Sequence, residues 1–321
     1  MTISKRPLVS ILFPVMNEAG NVSDMLDHFH KIEVDNDGYD FELVIVDDGS
    51  TDETFELLNK EMTEDFNAII VKLSRNFGSH YAISAGMAYC TGDAVIMLGA
   101  DLQEPLSLTK SFIQEWQNGN SIVWGIRNTR VANGLGRFFS SAFSKLFHRF
   151  SDIKSYPAEG PSGFLCDRKV IDEVNKIPER HRNILGLIAW SGFSQTRVQY
   201  DQLSRTSGES KWTTRKMINL AIDSFVGFSH APIRFMSIMG GVVAFLGFIY
   251  AAFIVGFALF SSSTPSGWAT VITVVLVLGG FQIMMLGMLG EYVWRGVDET
   301  RQRPLFIVEE TKHFGESSSK A

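Results

Sequence analysis

Three short runs near the N-terminus place acidic and amide side chains directly after apolar segments, beside a proline or a glycine. The run DDGSTD at 47–52 joins two adjacent carboxylates to a glycine and two hydroxyls. Ser50 or Thr51 suits the cap of a following helix, with Glu53 and Glu56 in its first turn, but capping leaves both Asp47 and Asp48 unexplained. Carboxylates in such a place accept hydrogen bonds from a base N–H or from ribose hydroxyls. PVMNE at 14–18 has the same character: Pro14 fixes the turn, and Asn17 and Glu18 can meet base or ribose. LGADLQEP at 98–105 sets Asp101, Gln103 and Glu104 on one loop. Oxygen donors of this kind suit Mg²⁺ or Mn²⁺ held jointly with substrate phosphates, the ion acting as a Lewis acid on a departing diphosphate. The plainer alternative is that Glu104 and Pro105 only open the next helix.

These runs act together only if the elements before them end on one edge. LVSILFPV, FELVIVD, AIIVKLS, AVIMLG and SIVWGIR alternate with the amphipathic stretches TDETFELLNK, SHYAISAGMAY and PLSLTKSFIQEW. That order predicts a Rossmann-like α/β domain, its sheet mostly parallel with helices on both faces, and a ligand crevice at the carboxyl ends of the strands. Arg127 closes the fifth of these strands and is a candidate phosphate-facing cation. The net charge of -6 argues against nucleic-acid binding. Two cysteines, Cys90 and Cys166, sit in apolar segments and indicate no disulfide framework. The basic-then-apolar start carries Pro14, Asn17 and Glu18 and no small-residue cleavage site, so it reads as a first strand rather than a signal peptide.

Residues 236–260 and 268–290 contain no charged side chain, and each run is long enough to cross a bilayer core as a helix. Their connector at 261–267 is uncharged, while Arg234 precedes the first stretch and Arg295, Arg301 and Arg303 follow the second. The positive-inside rule then puts both chain ends in the cytoplasm. The expected organisation is a cytoplasmic domain at 1–210, a juxtamembrane amphipathic helix at 211–234, two transmembrane helices within 235–293 and a cytoplasmic segment at 294–321. At 134–150, Phe139, Phe143, Leu146 and Phe150 recur at helical spacing among basic residues, which suits a helix in the membrane interface or, alternatively, a core helix. Asp167, before RKVIDEVNKI, reads as a helix cap rather than a base, and Glu291 as the partner of a nearby cation.

PVMNE, VDDGSTD, SRNFG at 74–78, LGADLQEP, RTSGESKW at 205–212 and QRPLFIV at 302–308 together resemble the inverting glycosyltransferases of family 2, and within them the polyprenyl-phosphate glycosyltransferases. The resemblance implies a nucleotide-diphosphate sugar donor, a polyprenyl phosphate acceptor and a divalent cation. UDP-glucose and undecaprenyl phosphate are the expected pair. It also implies nucleotide contacts from Pro14, Asn17, Glu18, Asp47, Asp48, Ser50, Arg75, Asn76 and Gly78. The resemblance transfers the metal role to Asp101 and Gln103, which are also expected in catalysis; Arg127, from its place after the fifth strand, is a further catalytic candidate, and Ser162, Gly163 and Phe164 are expected to line the sugar pocket. The acceptor phosphate is expected to meet Arg137, Arg205, Ser210 and Lys211. A homotetramer is implied, with QRPLFIV as a strand-forming contact. Two departures stand out: Gly99 replaces the first aspartate of the family's Asp-x-Asp metal motif, and Leu165 stands where many relatives have arginine.

A lipid phosphate monoester, with a second pKa of about 6, is mostly dianionic at neutral pH. It is already a nucleophile, so the site must supply cation density and in-line placement rather than a strong base. Two rival readings are a processive polysaccharide synthase, which would carry more spans and a Gln-x-x-Arg-Trp motif, and a non-catalytic nucleotide-sugar-binding membrane scaffold.

Overall fold

The structure, a computed structural model, describes residues 6–128, 156–157, 160–180, 182–203, 231–260 and 267–315. They divide into two compact units, Met1–Ser224 with Arg303–Ala321, and Phe225–Gln302.

The first unit is built on strands β1 (Leu8–Val15), β2 (Asp40–Asp47), β3 (Ala68–Leu73), β4 (Ala94–Met97), β5 (Ile122–Arg127), β6 (Phe164–Asp167), β7 (Gln195–Tyr200) and β8 (Val308–Phe314). Between them lie helices α1 (Val22–Asp35), α2 (Thr54–Glu61), α3 (Ser79–Tyr89), α4 (Leu106–Gln117), α5 (Arg168–Lys176) and α6 (Ile184–Trp190). One eight-stranded sheet results, in the order β7-β5-β6-β4-β1-β2-β3-β8. Strands β1 to β5 and β7 run one way, while β6 and β8 run against their neighbours. The carboxyl ends of the parallel strands and the starts of β6 and β8 therefore share one edge.

The central strands are covered on both faces, which explains their unbroken apolar runs. In α1, Val22, Met25, Leu26, Phe29 and Ile32 recur at helical spacing and are all buried, each contributing about 1.5–3 kcal/mol of transfer free energy. Trp124, Phe13, Phe29, Phe112 and Phe164 are the largest side chains wholly out of solvent. Glu42, on β2, is an ionisable side chain inside this buried sheet. It accepts hydrogen bonds from Ser10 Oγ, the backbone N–H of Thr91 and of Gly92, and Thr91 Oγ1, which satisfies it and pins the α3–β4 turn.

The five strands expected from the βαβ pattern are all present. The other three escape that pattern for physical reasons. β6 is four residues long and inserts antiparallel between β4 and β5. β7 is polar and only partly buried along its length, and β8, VEETKHF, shows no apolar alternation. QRPLFIV leads into a strand contact within the chain: Ile307 O accepts from Ser74 N at 2.9 Å, and β8 continues along β3. Backbone groups at the edge of β3 are thereby paired.

In the second unit, α7 (Ala231–Phe260) and α8 (Trp268–Thr300) occupy both stretches expected to be membrane spans. Among the described residues, one segment, Val277–Thr300, is long and apolar enough to cross a membrane, and Ile238–Tyr250 is a shorter apolar run. Phe245, Phe248, Ile283 and Leu286 on these helices are exposed. Glu291 pairs with Arg295 at 3.0 Å, as expected of a carboxylate one turn before a cation.

Candidate active site

Every motif within the described residues reaches the carboxyl edge of the sheet. On one half of that edge, three loops fasten to one another. Asn17, in the left-handed region at φ 52°, donates its backbone N–H to Ser50 Oγ at 2.8 Å and accepts at Oδ1 from Thr51 N at 2.7 Å. Glu18 N donates to Thr54 Oγ1 at 2.8 Å. Asp48 accepts from Phe77 N at 2.7 Å and Gly78 N at 2.9 Å, one on each carboxylate oxygen. Asp47 Oδ1 accepts from Ser50 N at 2.9 Å, whereas its buried Oδ2 has no hydrogen-bond partner. Burial pushes both carboxyls above the usual carboxylate range, against the lowering pull of those N–H groups.

Gly49 lets these loops meet. Its φ is +69°, and a Cβ there would lie 2.4 Å from the Arg75 carbonyl carbon. Arg75 stacks its guanidinium 4.0 Å from the Phe77 ring centroid. The structure thus brings together Pro14, Asn17, Glu18, Asp47, Asp48, Ser50, Arg75, Asn76 and Gly78. It shows Asn17, Ser50 and Asp48 holding the loops in place, with the oxygens of Asp48 committed to backbone donors. Neither Ser50 nor Thr51 caps α2: Asp52 Oδ1 takes the Thr54 N–H, at 3.1 Å.

The other half gathers Asp101, Gln103, Glu104, Arg127, Ser162 and Tyr200. Leu102, at φ 53°, is a non-glycine residue in the left-handed region, and its side chain packs on the core, so the 99–104 loop is turned by a strained residue that packing holds. Glu104 is 5% exposed. It accepts from Gly99 N at 3.2 Å and from Tyr200 Oη at 3.3 Å, and Tyr200 Oη also meets Ser162 Oγ at 2.5 Å. Burial, then the neighbouring Asp101 charge, push the Glu104 carboxyl up to about 7, and Arg127 acts in the opposite sense. Burial and the Glu104 charge likewise push the Tyr200 phenol up to about 12. Arg127 lies opposite Tyr200 in the β5–β7 register and is half-buried. A cleft of about 400 Å³ opens beside this cluster, lined by residues including Pro105, Leu108, Asn128, Tyr200 and Leu203.

Gln103, expected as a metal ligand, has partners within the chain at both ends of its amide. Its Oε1 accepts from Gln202 Nε2 at 2.7 Å, and its Nε2 donates to Leu203 O at 3.3 Å. It ties the 99–104 loop to the segment that leaves β7. Of the expected sugar-pocket residues, Ser162 joins the cluster, but Phe164 does not line a pocket. Its ring is fully buried edge-on to Trp124 at 6.0 Å, because β6 turns it into the core. Gly163 is buried where a Cβ would come 2.8 Å from Met97 O. Asp167 caps α5 by accepting from Lys169 N, and it also accepts from Trp116 Nε1 at 2.8 Å. Arg137, Arg205, Ser210 and Lys211, with the helix expected at 134–150 and residues 211–230 of the one expected at 211–234, lie outside the described residues. Tyr200 was not singled out from sequence; its one signal is an aromatic ending a polar strand shortly before RTSGESKW.

The donors available near Gly99 suit a hard divalent cation. A Cβ at Gly99 would be faced by Asp101 Oδ1 at 2.9 Å and Glu104 Oε2 at 3.2 Å, both carboxylate oxygens, with the Gln103 amide on the same loop. Among the described residues, no group of three or more His, Cys, Asp or Glu side chains encloses a metal. Any ion would share its coordination with substrate or water.

Comparison with known proteins agrees with this layout. Residues 10–175 match the family described as glycosyl transferase family 2. A glycosyltransferase of Bacillus subtilis, YkcC, is 34% identical over 313 residues, covering 96% of this chain and 95% of that protein. The prophage bactoprenol glucosyl transferase homolog of Escherichia coli is 32% identical over 305 residues, covering 95% of this chain and 99% of that one. The bactoprenol glucosyl transferase of Shigella phage SfX is 31% identical with the same coverage. Among solved structures, a mannosyltransferase from Pyrobaculum calidifontis, in complex with GDP-Man and Mn²⁺, superposes with a TM-score of 0.51 at 17% identity, covering 94% of this chain and 89% of that one; it supports the Rossmann-like fold. The gathering of the motif loops at the carboxyl edge of the sheet, the matched family and relatives aligned nearly end to end lead to one assignment: this chain is a glycosyltransferase and belongs to glycosyl transferase family 2.

Proposed function

We propose that the chain transfers a hexose, glucose from UDP-glucose, to the phosphate of a polyprenyl lipid, undecaprenyl phosphate, at the cytoplasmic face of a membrane. The observation that carries this reading is the extent of the match to bactoprenol glucosyl transferases. It takes in 95% of this chain and 99% of theirs, a span that must include most of the long apolar helices as well as the sugar-nucleotide domain. We read α7 and α8 as two membrane spans, with the catalytic unit and both termini cytoplasmic.

The reaction is a single displacement. A lipid phosphate oxygen attacks the anomeric carbon as the bond to the nucleotide diphosphate oxygen breaks, and the bonding pair leaves with the diphosphate. The configuration inverts, so an α-linked donor gives a β-linked lipid phosphosugar. Loops 14–18, 47–54 and 74–78 form the nucleotide pocket; Asp47 Oδ2, buried without a hydrogen-bond partner, can accept from base or ribose once these loops part to admit the nucleotide. Asp101 and Gln103 would hold Mg²⁺ or Mn²⁺, which when bound neutralises charge on the departing diphosphate. Arg127 adds fixed positive charge beside Glu104 and Tyr200, where two anionic substrates meet. Ser162 belongs to the sugar side of this cluster. Arg137, Arg205, Ser210 and Lys211 are assigned to the acceptor phosphate, and a homotetramer is the proposed assembly.

The test is incubation of the full chain in detergent with undecaprenyl phosphate, Mg²⁺ and radiolabelled sugar nucleotides, with Asp101→Ala as control. Transfer from UDP-glucose to an organic-extractable, acid-labile lipid, absent with the variant, supports the reading. Transfer from a different donor corrects the sugar; nucleotide binding without product from any donor returns the scaffold reading.

A further inference from the structure

We propose that the Glu104 carboxylate stands in for the acidic side chain missing at position 99, so that beside the Gln103 amide the divalent cation is faced by two carboxylates, Asp101 and Glu104, rather than one. The inference rests on the metal-assisted reading above.

At Gly99, the three atoms nearest to a would-be Cβ are Asp101 Oδ1 at 2.9 Å, Glu104 Oε2 at 3.2 Å and Glu104 Cδ at 3.8 Å. The volume an aspartate at 99 would occupy is thus bordered by a carboxylate that arrives from five residues further along. The longer glutamate side chain makes this reach. It is fixed at both oxygens, Oε2 by the Gly99 N–H at 3.2 Å and Oε1 by the Tyr200 hydroxyl at 3.3 Å. Tyr200 is in turn held by Ser162.

A purely structural role does not account for an ionisable side chain at this place. A neutral amide could fill the same place, accepting from the Gly99 N–H at its oxygen and donating its NH2 to the Tyr200 hydroxyl oxygen, and it would avoid placing a second carboxylate beside Asp101 at a position 5% exposed. Two carboxylates converging in a shielded place are costly unless a cation lies between or near them. Arg127 acts on Glu104, but it is a fixed side chain at the end of β5. A divalent ion brought in with the substrate diphosphate would balance the pair only when the donor is present. The absence of a side chain at 99 and the presence of a reaching glutamate at 104 are then one arrangement: the acidic group has moved along the loop and kept its place in space.

The test reads metal binding directly, from the free-ion Mn²⁺ electron paramagnetic resonance signal, with the full chain in detergent and UDP present. Glu104→Gln keeps the side-chain volume and the hydrogen bond accepted from Gly99 N–H, while its NH2 can donate to the Tyr200 hydroxyl oxygen, which already meets Ser162 Oγ. It is expected to weaken Mn²⁺ binding by at least about ten-fold, with metal-free UDP affinity unchanged. Adding Gly99→Asp to Glu104→Gln is expected to restore Mn²⁺ affinity to within about three-fold of wild type, a recovery that a structural role for Glu104 would not produce. Gly99→Asp alone, in case Glu104→Gln fails to fold, should change Mn²⁺ affinity by less than about three-fold, because the place is already served. The inference is overturned by Glu104→Gln binding Mn²⁺ like wild type, by a folded double variant that does not recover, or by Gly99→Asp alone tightening binding about ten-fold. Those results leave the metal-assisted reading intact. Wild type taking up no Mn²⁺ in the presence of UDP overturns both.

Discussion

Gly49→Ala probes the contact that joins the loops proposed to hold the nucleotide. At φ +69° an alanine is in the left-handed region, at a cost of about 1–2 kcal/mol. Its Cβ would lie 2.4 Å from the Arg75 carbonyl carbon, 2.7 Å from Asn76 N and 2.8 Å from Arg75 Cα. These are backbone atoms, so the two loops must separate by about 1 Å to reach ordinary contact. Asp48 then loses its bonds to Phe77 N and Gly78 N, now 2.7 and 2.9 Å, since a stretch of that size passes the hydrogen-bond limit. Bonds to a charged acceptor contribute about 1.5–3 kcal/mol each, and water entering the opened gap returns part of that. A net loss of about 4 kcal/mol is expected, or about 10 °C in Tm for a domain of this size. Gly119→Ala is the control: φ is +93°, but nothing lies within 4 Å, so only the conformational cost applies, about 1–2 kcal/mol. Thermal unfolding in detergent and calorimetric titration with UDP are the assays. Gly49→Ala should also bind UDP at least about ten-fold more weakly, while Gly119→Ala binds normally. Equal Tm shifts for the two variants with unchanged UDP affinity would refute the argument that the loops are locked together through Gly49.

Asp167→Ala removes the α5 cap and the acceptor of Trp116 Nε1; a stability loss of about 1–3 kcal/mol is expected with unchanged UDP affinity, and a loss of turnover without a loss of stability would return Asp167 to the chemistry. Glu104, with its carboxyl raised from 4.5 to about 7, keeps its proton in the folded state over a range where the unfolded chain has released it. Stability of the metal-free protein should therefore fall as pH rises through that window, by about 3 kcal/mol, and Tm against pH should lose this component in Glu104→Gln. Arg127→Ala, which deletes the cation opposite Tyr200, should lower kcat about a hundred-fold, read by lipid-product formation under saturating donor, with UDP affinity reduced far less.

The site's location could be read from sequence because each motif directly follows a strand whose apolar run is unmistakable, and parallel strands deliver their carboxyl ends to one edge. The roles within it were less legible. Asp47 and Asp48 are adjacent in a single motif, yet the donors that commit Asp48 come from residues 77 and 78. Nothing local distinguishes it from Asp47, which keeps an orphan oxygen. Gln103 looks like a ligand because of its spacing from Asp101, but its partners are Gln202 and Leu203, reached only once β7 is seated beside β5. Tyr200 was hidden for the same reason. Phe164 was misplaced because a four-residue antiparallel strand leaves no periodicity to show which way a side chain turns. Glu104 was legible as an oxygen donor, whereas its approach to the space at Gly99 is visible only in three dimensions.

The central claim is that the acceptor is a lipid phosphate and that attack inverts the anomeric centre. The most direct measurement is phosphorus and proton NMR of the lipid made by the full chain from UDP-glucose and undecaprenyl phosphate, with undecaprenol as the competing acceptor. A phosphodiester carrying a β-linked glucose, with no product from the alcohol, is the expected result. An α-linked product, or glucose attached to the alcohol, would contradict the account.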